Sequence, residues 1–262
     1  RRDPRARIGV PRTVTYLQFH LVFTLPLLAV LAAAQGRTRG PWWPLALIAT
    51  IAFVYTTPWD NHLVANAVWT YPPGRVLATI GHVPVEEYAF FVIQTAIAGL
   101  WMRLVRERVP AAPPSPRGGT IRAVGGTVAL AITLLGVGLW VQGGHGLYLG
   151  LILAWVGPIL LLMWGLGGSE LWARRRLLAW SILPPTLYLW VADWYAITQA
   201  GIWHITDATR TGWEIAGLPV EEALFFLVTN VMVVQGLVLL QPVPFAQIMG
   251  RLGVLRPRPA AA

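Results

Sequence analysis

Seven windows of this 262-residue chain stay apolar for long enough to span a bilayer core, and nothing else in the sequence narrows the fold as far. Lipid offers the backbone no water to bond, so a run of about 20 apolar residues must close its own N–H and C=O groups, and a helix does that. The windows are Thr13–Ala34, Trp42–Thr70, Pro84–Val105, Thr120–Val141, Leu147–Leu166, Leu177–Trp203 and Pro219–Leu240. Hydrophobic residues make up 56% of the chain and charged residues 12%, with a mean hydropathy of +0.58, which lies outside the range of soluble globular domains. The expected fold class is therefore all-α, an integral membrane bundle of about seven transmembrane helices. The start, "RRDPRARIGVPR", carries no cleavable-signal pattern, and the apolar run after it is expected to be the first span.

Between the third and fourth windows lies "RERVPAAPPSPRGG", a Pro- and Gly-rich linker that cannot continue a helix. The segments on its two sides repeat. Asp60 aligns with Asp193, Trp69 with Trp203, Pro84 with Pro219, Glu86 and Glu87 with Glu221 and Glu222, and Phe90 and Phe91 with Phe225 and Phe226, at offsets of 133 to 135. Three spans plus one connector restore the direction of the chain, so the two three-helix repeats are expected to run parallel about an axis along the membrane normal. The expected divisions are 13–105 for the first repeat, 106–146 for linker and connector helix, 147–241 for the second repeat and 242–262 for a C-terminal tail.

All twenty basic residues are arginine. The lack of lysine excludes a retinal Schiff base, and the lack of cysteine excludes disulfides, thiolate catalysis and iron–sulfur clusters. The net charge of +9 is carried by loops and ends, a pattern of membrane orientation and anionic headgroup contact, with no basic face suited to nucleic acid. With the N-terminus outside, thirteen arginines (37, 39, 103, 106, 108, 117, 122, 174, 175, 176, 251, 256 and 258) fall inside, against seven (1, 2, 5, 7, 12, 75 and 210) outside. That bias predicts a cytoplasmic C-terminus.

The candidate chemistry sits in the acids. Pro84 and Pro219 suit the first turn of a helix, and a single glutamate after such a proline would be explained by helix-start electrostatics alone. Duplication of the whole Pro-Val-Glu-Glu-x-x-Phe-Phe segment calls for more, because any Asp, Ser or Thr makes a cap. Neighbouring residues on a helix diverge by about 100°, so one glutamate of each pair faces the bundle while the other turns aside. Glu87 shares a face with Phe90, Phe91 and Gln94, and Glu222 shares one with Phe225, Phe226 and Thr229. Asp60 and Asp193 lie deep in long apolar windows, where an ionisable side chain costs a few kcal/mol and marks function. Burial and like-charge crowding produce both a proton donor and a base from carboxyl groups.

Fourteen tryptophans belong partly to interfacial belts, but Trp59, Trp69, Trp190, Trp194 and Trp203, with Tyr71 and Trp213, flank the acids where ring faces stabilise a cation. The histidines lack the i, i+4 pairing of a zinc site, and neither a dinucleotide nor a phosphate-binding glycine motif is present, so the expectation is no metal and no cofactor.

At "YLQFHLVFTLPLLAV", at "PWDNHLVANAVWTY" running into "GHVPVEEYAFFVIQT", and at "ADWYAITQAGIWHI" running into "GLPVEEALFFLVTN", the chain resembles the membrane-embedded, non-flavin lycopene cyclases, in the fused form of the two-subunit bacterial type. The resemblance spans nearly the whole chain apart from linker and tail. It implies redox-neutral cyclisation of the ψ-ends of lycopene to β-rings in the cell membrane, with Glu86, Glu87, Glu221 and Glu222 as the acid/base set and Asp60 and Asp193 assisting. It also implies that Trp59, Trp69, Phe90, Phe91, Trp190, Trp194, Trp203, Phe225 and Phe226 surround the substrate, a lipophilic carotenoid entering from membrane lipid, and that other carotenoid-pathway enzymes are partners. ε- or γ-ring formation differs only in the proton lost. An intramembrane prenyltransferase would need paired Asp-rich magnesium sites that the sequence lacks, and a proton-coupled transporter would also place acids in its spans.

Overall fold

The computed structural model describes residues 14–36, 40–113 and 115–254. Thr13, the arginines at 1, 2, 5, 7, 12, 37, 39, 256 and 258, and the end of the expected tail lie outside the described residues. The described chain is mostly helical. Its long helices are α1 (Tyr16–Ala33, with a π turn at His20–Thr24), α2 (Trp43–Ala65), α3 (Val85–Val105), α4 (Gly118–Gln142), α5 (Leu147–Ala173), α6 (Arg175–Trp194, continued by a π turn at Tyr195–Ala200) and α7 (Val220–Leu239). A short helix α8 (Pro242–Arg251) follows, inside the region expected to be tail.

Among the described residues five helices are long and apolar enough to cross a membrane: α1, α3, α4, α5 with the turn before it, and α7. The remaining two, α2 and α6, carry Asp60 and Asp193, and prolines, tryptophans and other polar residues dilute their apolar runs. Both also end earlier than expected. Ala67 and Gly201 take positive φ values of 54° and 56°, which stops a helix, and the next residues fold back, Val68 N–H to Leu63 C=O and Ile202 N–H to Ala196 C=O, both at 3.0 Å. The window Leu147–Leu166 is too short for α5, which continues to Ala173, and Gly167 in the added turns leaves room for Leu239 and Ile248 to pack against its backbone.

The loops after α2 and α6 contain short strands: β1 (Trp69–Thr70), β2 (Thr79–Ile80), β3 (Val83–Pro84), β4 (His204–Ile205), β5 (Glu214–Ile215) and β6 (Leu218–Pro219). Pairs β2–β3 and β5–β6 are tight hairpins closed by Gly81–His82 and Ala216–Gly217, and each delivers its chain directly into a glutamate pair at the start of α3 or α7. Strands β1 and β4 pair antiparallel, Trp69 against Ile205 and Thr70 against His204, so the two loops meet over one end of the bundle.

Helices α3 and α7 occupy the centre, with 61% and 67% of their apolar windows buried against 11% for α4. They pack on each other; α3 also contacts α1, α2 and α6, and α7 contacts α2, α5 and α6. Gln94 on α3 donates to Thr229 Oγ1 on α7 at 2.5 Å, and Asn230 donates to Thr186 Oγ1 on α6 at 3.0 Å. Such bonds contribute about 1 kcal/mol each between helices in lipid. Helix α4 packs mainly on α5, where Gly136 and Gly157 let the backbones approach so closely that an added Cβ would meet Ala154 N at 2.3 Å or Thr133 Oγ1 at 2.3 Å.

Candidate active site

The paired glutamates separate as the 100° rule requires. Glu86 turns toward the loop before it and accepts the Leu77 N–H at 2.8 Å. Glu221 does the same, accepting the Thr211 N–H at 2.6 Å and its hydroxyl at 2.7 Å. Both tie a loop to the first turn of a central helix. Glu87 and Glu222 instead face inward, and both line one cavity of about 20 Å³, room for little more than a water molecule.

Each inward carboxyl group is held by a phenol from the start of another helix. Tyr16 on α1 donates to Glu87 Oε2 at 2.6 Å, and Tyr148 on α5 donates to Glu222 Oε1 at 2.5 Å. The second donors differ. Tyr71 reaches Glu87 Oε2 at 3.1 Å, whereas Trp69 donates its indole N–H to Glu222 Oε1 at 3.3 Å. Burial first, then the nearby Glu87, pushes the Tyr71 phenol well above its usual range, so it acts as a hydrogen-bond donor at neutral pH. The bonds come from phenols and an indole, and among the described residues no arginine bonds either group. These carboxyl groups are therefore oriented without being locked as salt-bridged anions.

Asp193 also lines the cavity, accepting the Trp203 indole N–H at 3.1 Å on Oδ1, while Oδ2 is buried with no hydrogen-bond partner among the described residues. Asp60 is fully buried within electrostatic reach of Glu87 and Glu222, and neither of its oxygens has a hydrogen-bond partner among the described residues. The remaining wall is aromatic: Phe19, Phe90, Trp203, Phe225 and Phe226. Trp203 lies 4.9 Å from the Tyr16 ring, Phe225 lies 5.7 Å from Trp69, and Phe90 meets Phe226 edge to face at 5.9 Å. Ring faces next to carboxyl groups suit a transient carbocation.

The structure thus brings together Glu87, Glu222, Asp193, Trp69, Trp203, Phe90, Phe225 and Phe226, with Asp60 buried just behind. Trp59 stands at the edge, stacked between Trp155 and Phe225 at 4.6 and 5.7 Å. Phe91 faces a different, lower cavity. Trp190 and Trp194 spend their N–H groups on the carbonyls of Ala223 and Ala216 and do not line the carboxyl cavity. Sequence reasoning missed Tyr16, Phe19 and Tyr148. The signal was available: Tyr16 and Tyr148 continue the repeat at an offset of 132.

The fold and site together define a class of membrane protein in which two carboxyl groups, one from each of two central helices, are sealed among aromatic rings at one end of the bundle. The sequence profile described as lycopene cyclase matches residues 11–105 and 145–238, both halves but neither the linker nor α4, and the chain belongs to the lycopene cyclase family and is an enzyme. It is 41% identical over 232 residues to a lycopene beta-cyclase of Halobacterium salinarum, covering 87% of this chain and 96% of that one. It is 42% identical over 234 residues to a bifunctional lycopene cyclase/phytoene synthase of Sporisorium reilianum, covering 85% of this chain and 34% of the fungal one, and 38% identical over 234 residues to that of Gibberella fujikuroi, at 85% and 39%. No solved structure matches the chain.

Proposed function

We propose that the chain converts the ψ-ends of lycopene to β-rings in one cavity shared by its two halves. The observation that carries this reading is that Glu87 and Glu222, from separate helices, line the same aromatic-walled space. A protonated carboxyl group adds its proton to the terminal double bond, the neighbouring alkene attacks the resulting tertiary cation to close a six-membered ring, and a carboxylate removes a ring proton. One proton enters and one leaves, so no net redox change occurs and no flavin, nicotinamide or metal is required. Tyr16, Tyr71, Tyr148 and Trp69 aim the carboxyl oxygens, and the rings of Phe90, Trp203, Phe225 and Phe226 face the cation. Asp193 and Asp60 supply a buried acidic field. Removal of a different proton would give an ε- or γ-ring, and the 41% identity to a chain named as a beta-cyclase supports the β outcome.

The same reading makes the chain a seven-span bundle of two parallel three-helix repeats, 13–105 and 147–241, with α4 as connector. In support, α2–α3 packing is matched by α6–α7, α1–α3 by α5–α7, and α3–α6 by α7–α2. The positive-φ positions also pair, Ala67 with Gly201 and Gly81 with Ala216. The membrane is proposed to be the cell membrane, with the carboxyl cavity toward its outer face, lipid as the source of substrate and other carotenoid-pathway enzymes as neighbours. Expression in a lycopene-accumulating host, followed by pigment analysis, tests the reaction. Unchanged lycopene beside abundant, folded protein would refute it.

A further inference from the structure

A second cavity, of about 80 Å³, lies between α2, α3, α5 and α7, farther from the loops than the carboxyl cavity. Phe225 lines both. From Glu87 to Thr95 on α3 is eight residues, about 12 Å of helix at ~1.5 Å per residue, so the lower cavity extends from the acid end toward the middle of the span. Ile51 on its rim is 49% exposed, which opens the space sideways to the lipid-facing surface between α2 and α5.

Its lining asks for no polar ligand. Thr95 donates to Phe91 C=O and Thr229 to Phe225 C=O, each at 2.8 Å, and Gln94 donates to Thr229. Hydrocarbon placed there leaves these bonds intact. Above it, Tyr55 donates to Trp155 C=O at 2.8 Å and Trp59 to Leu151 C=O at 3.2 Å, tying α2 to α5 beside the Trp59–Trp155 stack.

The corresponding place between α6 and α1 is filled. Ala52 and Thr56 correspond to Pro185 and Leu189, both buried, Leu189 at 1% exposure, and Asn230 is bonded to Thr186 where the groove side has Thr95. The Tyr55 bond has its counterpart in Tyr188 donating to Phe23 C=O at 2.8 Å, so the two sides share a frame and differ in whether it is packed.

Resting on the cyclase reading above, we propose that the groove between α2 and α5, floored by Gln94 and Thr229, holds the straight polyene chain of the substrate while one of its ends enters the carboxyl cavity, whose aromatic side chains move apart to widen the 20 Å³ space and admit it. One groove leading to one cavity means that the two ends react in separate visits, with the half-converted product withdrawn and turned between them.

The test uses the full chain in detergent with lycopene. The achiral polyene gains a visible circular dichroism signal when held in one protein conformation, which reports binding independently of turnover. Ala52→Phe fills the groove, and Ile51→Phe narrows its rim at an exposed position that does not burden folding. Val128→Phe on the lipid face of α4, a 53% exposed position, is the control. Blocking the chain site is expected to raise KM about tenfold, equal to ~1.4 kcal/mol of lost binding, and to abolish the dichroism, while the control behaves as wild type. Unchanged KM and dichroism in both folded groove variants would overturn the proposal. Wild-type protein that binds but never converts lycopene, with binding lost in the groove variants, would keep the groove and refute the cyclase reading. Neither binding nor conversion by wild type would sink both.

Discussion

Trp69, on the loop after α2, donates its indole N–H to Glu222 on α7 at 3.3 Å, so a side chain of the first half holds a carboxyl group of the second. A bond to a carboxyl group is worth about 1.5–3 kcal/mol, or roughly tenfold to a hundredfold in rate if it aims the reacting oxygen. Trp69→Phe keeps the ring and removes the donor. It is expected to slow both ring closures together, measured as a fall in lycopene consumption with an unchanged ratio of monocyclic to bicyclic product at equal conversion. A selective loss of the second ring would mean that the halves act separately.

The phenols give a sharper comparison. Tyr16→Phe leaves Glu87 with Tyr71, and Tyr148→Phe leaves Glu222 with the longer Trp69 bond. Each single variant is expected to lose about tenfold in turnover, and Tyr16→Phe combined with Tyr71→Phe to lose more than the sum of its parts, because Glu87 is then buried with no donor. Wild-type turnover in both single variants and in the double variant would remove these tyrosines from the acid/base machinery.

What the sequence made legible follows from period and repetition. Span-length apolar runs announced the helices, and helix geometry required one glutamate of each duplicated Pro-Val-Glu-Glu to face the bundle and grouped Glu87 and Glu222 with the Phe-Phe face, but which glutamate of each pair turns inward is seen only in the structure. The two spans carrying Asp60 and Asp193 were overextended, because their ends depend on positive φ at Ala67 and Gly201, and an alanine in that conformation has no clear mark in a sequence. Tyr16 and Tyr148 were overlooked because a tyrosine near a span end reads as interfacial anchoring until a partner carboxyl group is seen. The bonds of Trp69 to Glu222 and of Trp203 to Asp193 depend on how the two loops cross, which no local pattern encodes.

Asp60 permits a test of function against stability. Both of its oxygens are buried with no hydrogen-bond partner among the described residues, a condition that costs about 1–3 kcal/mol. Asp60→Asn relieves any buried charge while keeping the shape, so a higher thermal midpoint with reduced turnover is the expected outcome, the signature of a residue kept for chemistry. A lower midpoint with full turnover would make Asp60 structural.

The absence of cysteine from the chain makes side-of-membrane mapping direct. The loops after α2 and α6 pair through β1 and β4, so single cysteines at Pro73 and Ala208 are expected to react with an impermeant thiol reagent from the same side of intact cells. Labelling from opposite sides would refute the parallel repeats.

The strongest test of the shared cavity is the set of single glutamate-to-glutamine changes. Glutamine keeps the volume and a hydrogen-bonding oxygen but can neither give nor take the reacting proton, and loss of a general acid or base typically costs about 10²–10⁴ in rate. If Glu87 and Glu222 supply acid and base to one cavity, Glu87→Gln and Glu222→Gln each remove half of every ring closure, and both are expected to leave lycopene uncyclised, with neither monocyclic nor bicyclic product. Glu86→Gln and Glu221→Gln keep an acceptor for Leu77 N–H and Thr211 N–H, so they are expected to retain substantial turnover and to lower thermal stability modestly, by about 1 kcal/mol. Separate sites predict something else: each inward variant would disable one site while the other goes on closing rings, and cyclised product would persist in both. Pigment analysis of the four variants at matched protein levels separates the two cases. Abundant cyclised product from either Glu87→Gln or Glu222→Gln would end the single-cavity mechanism.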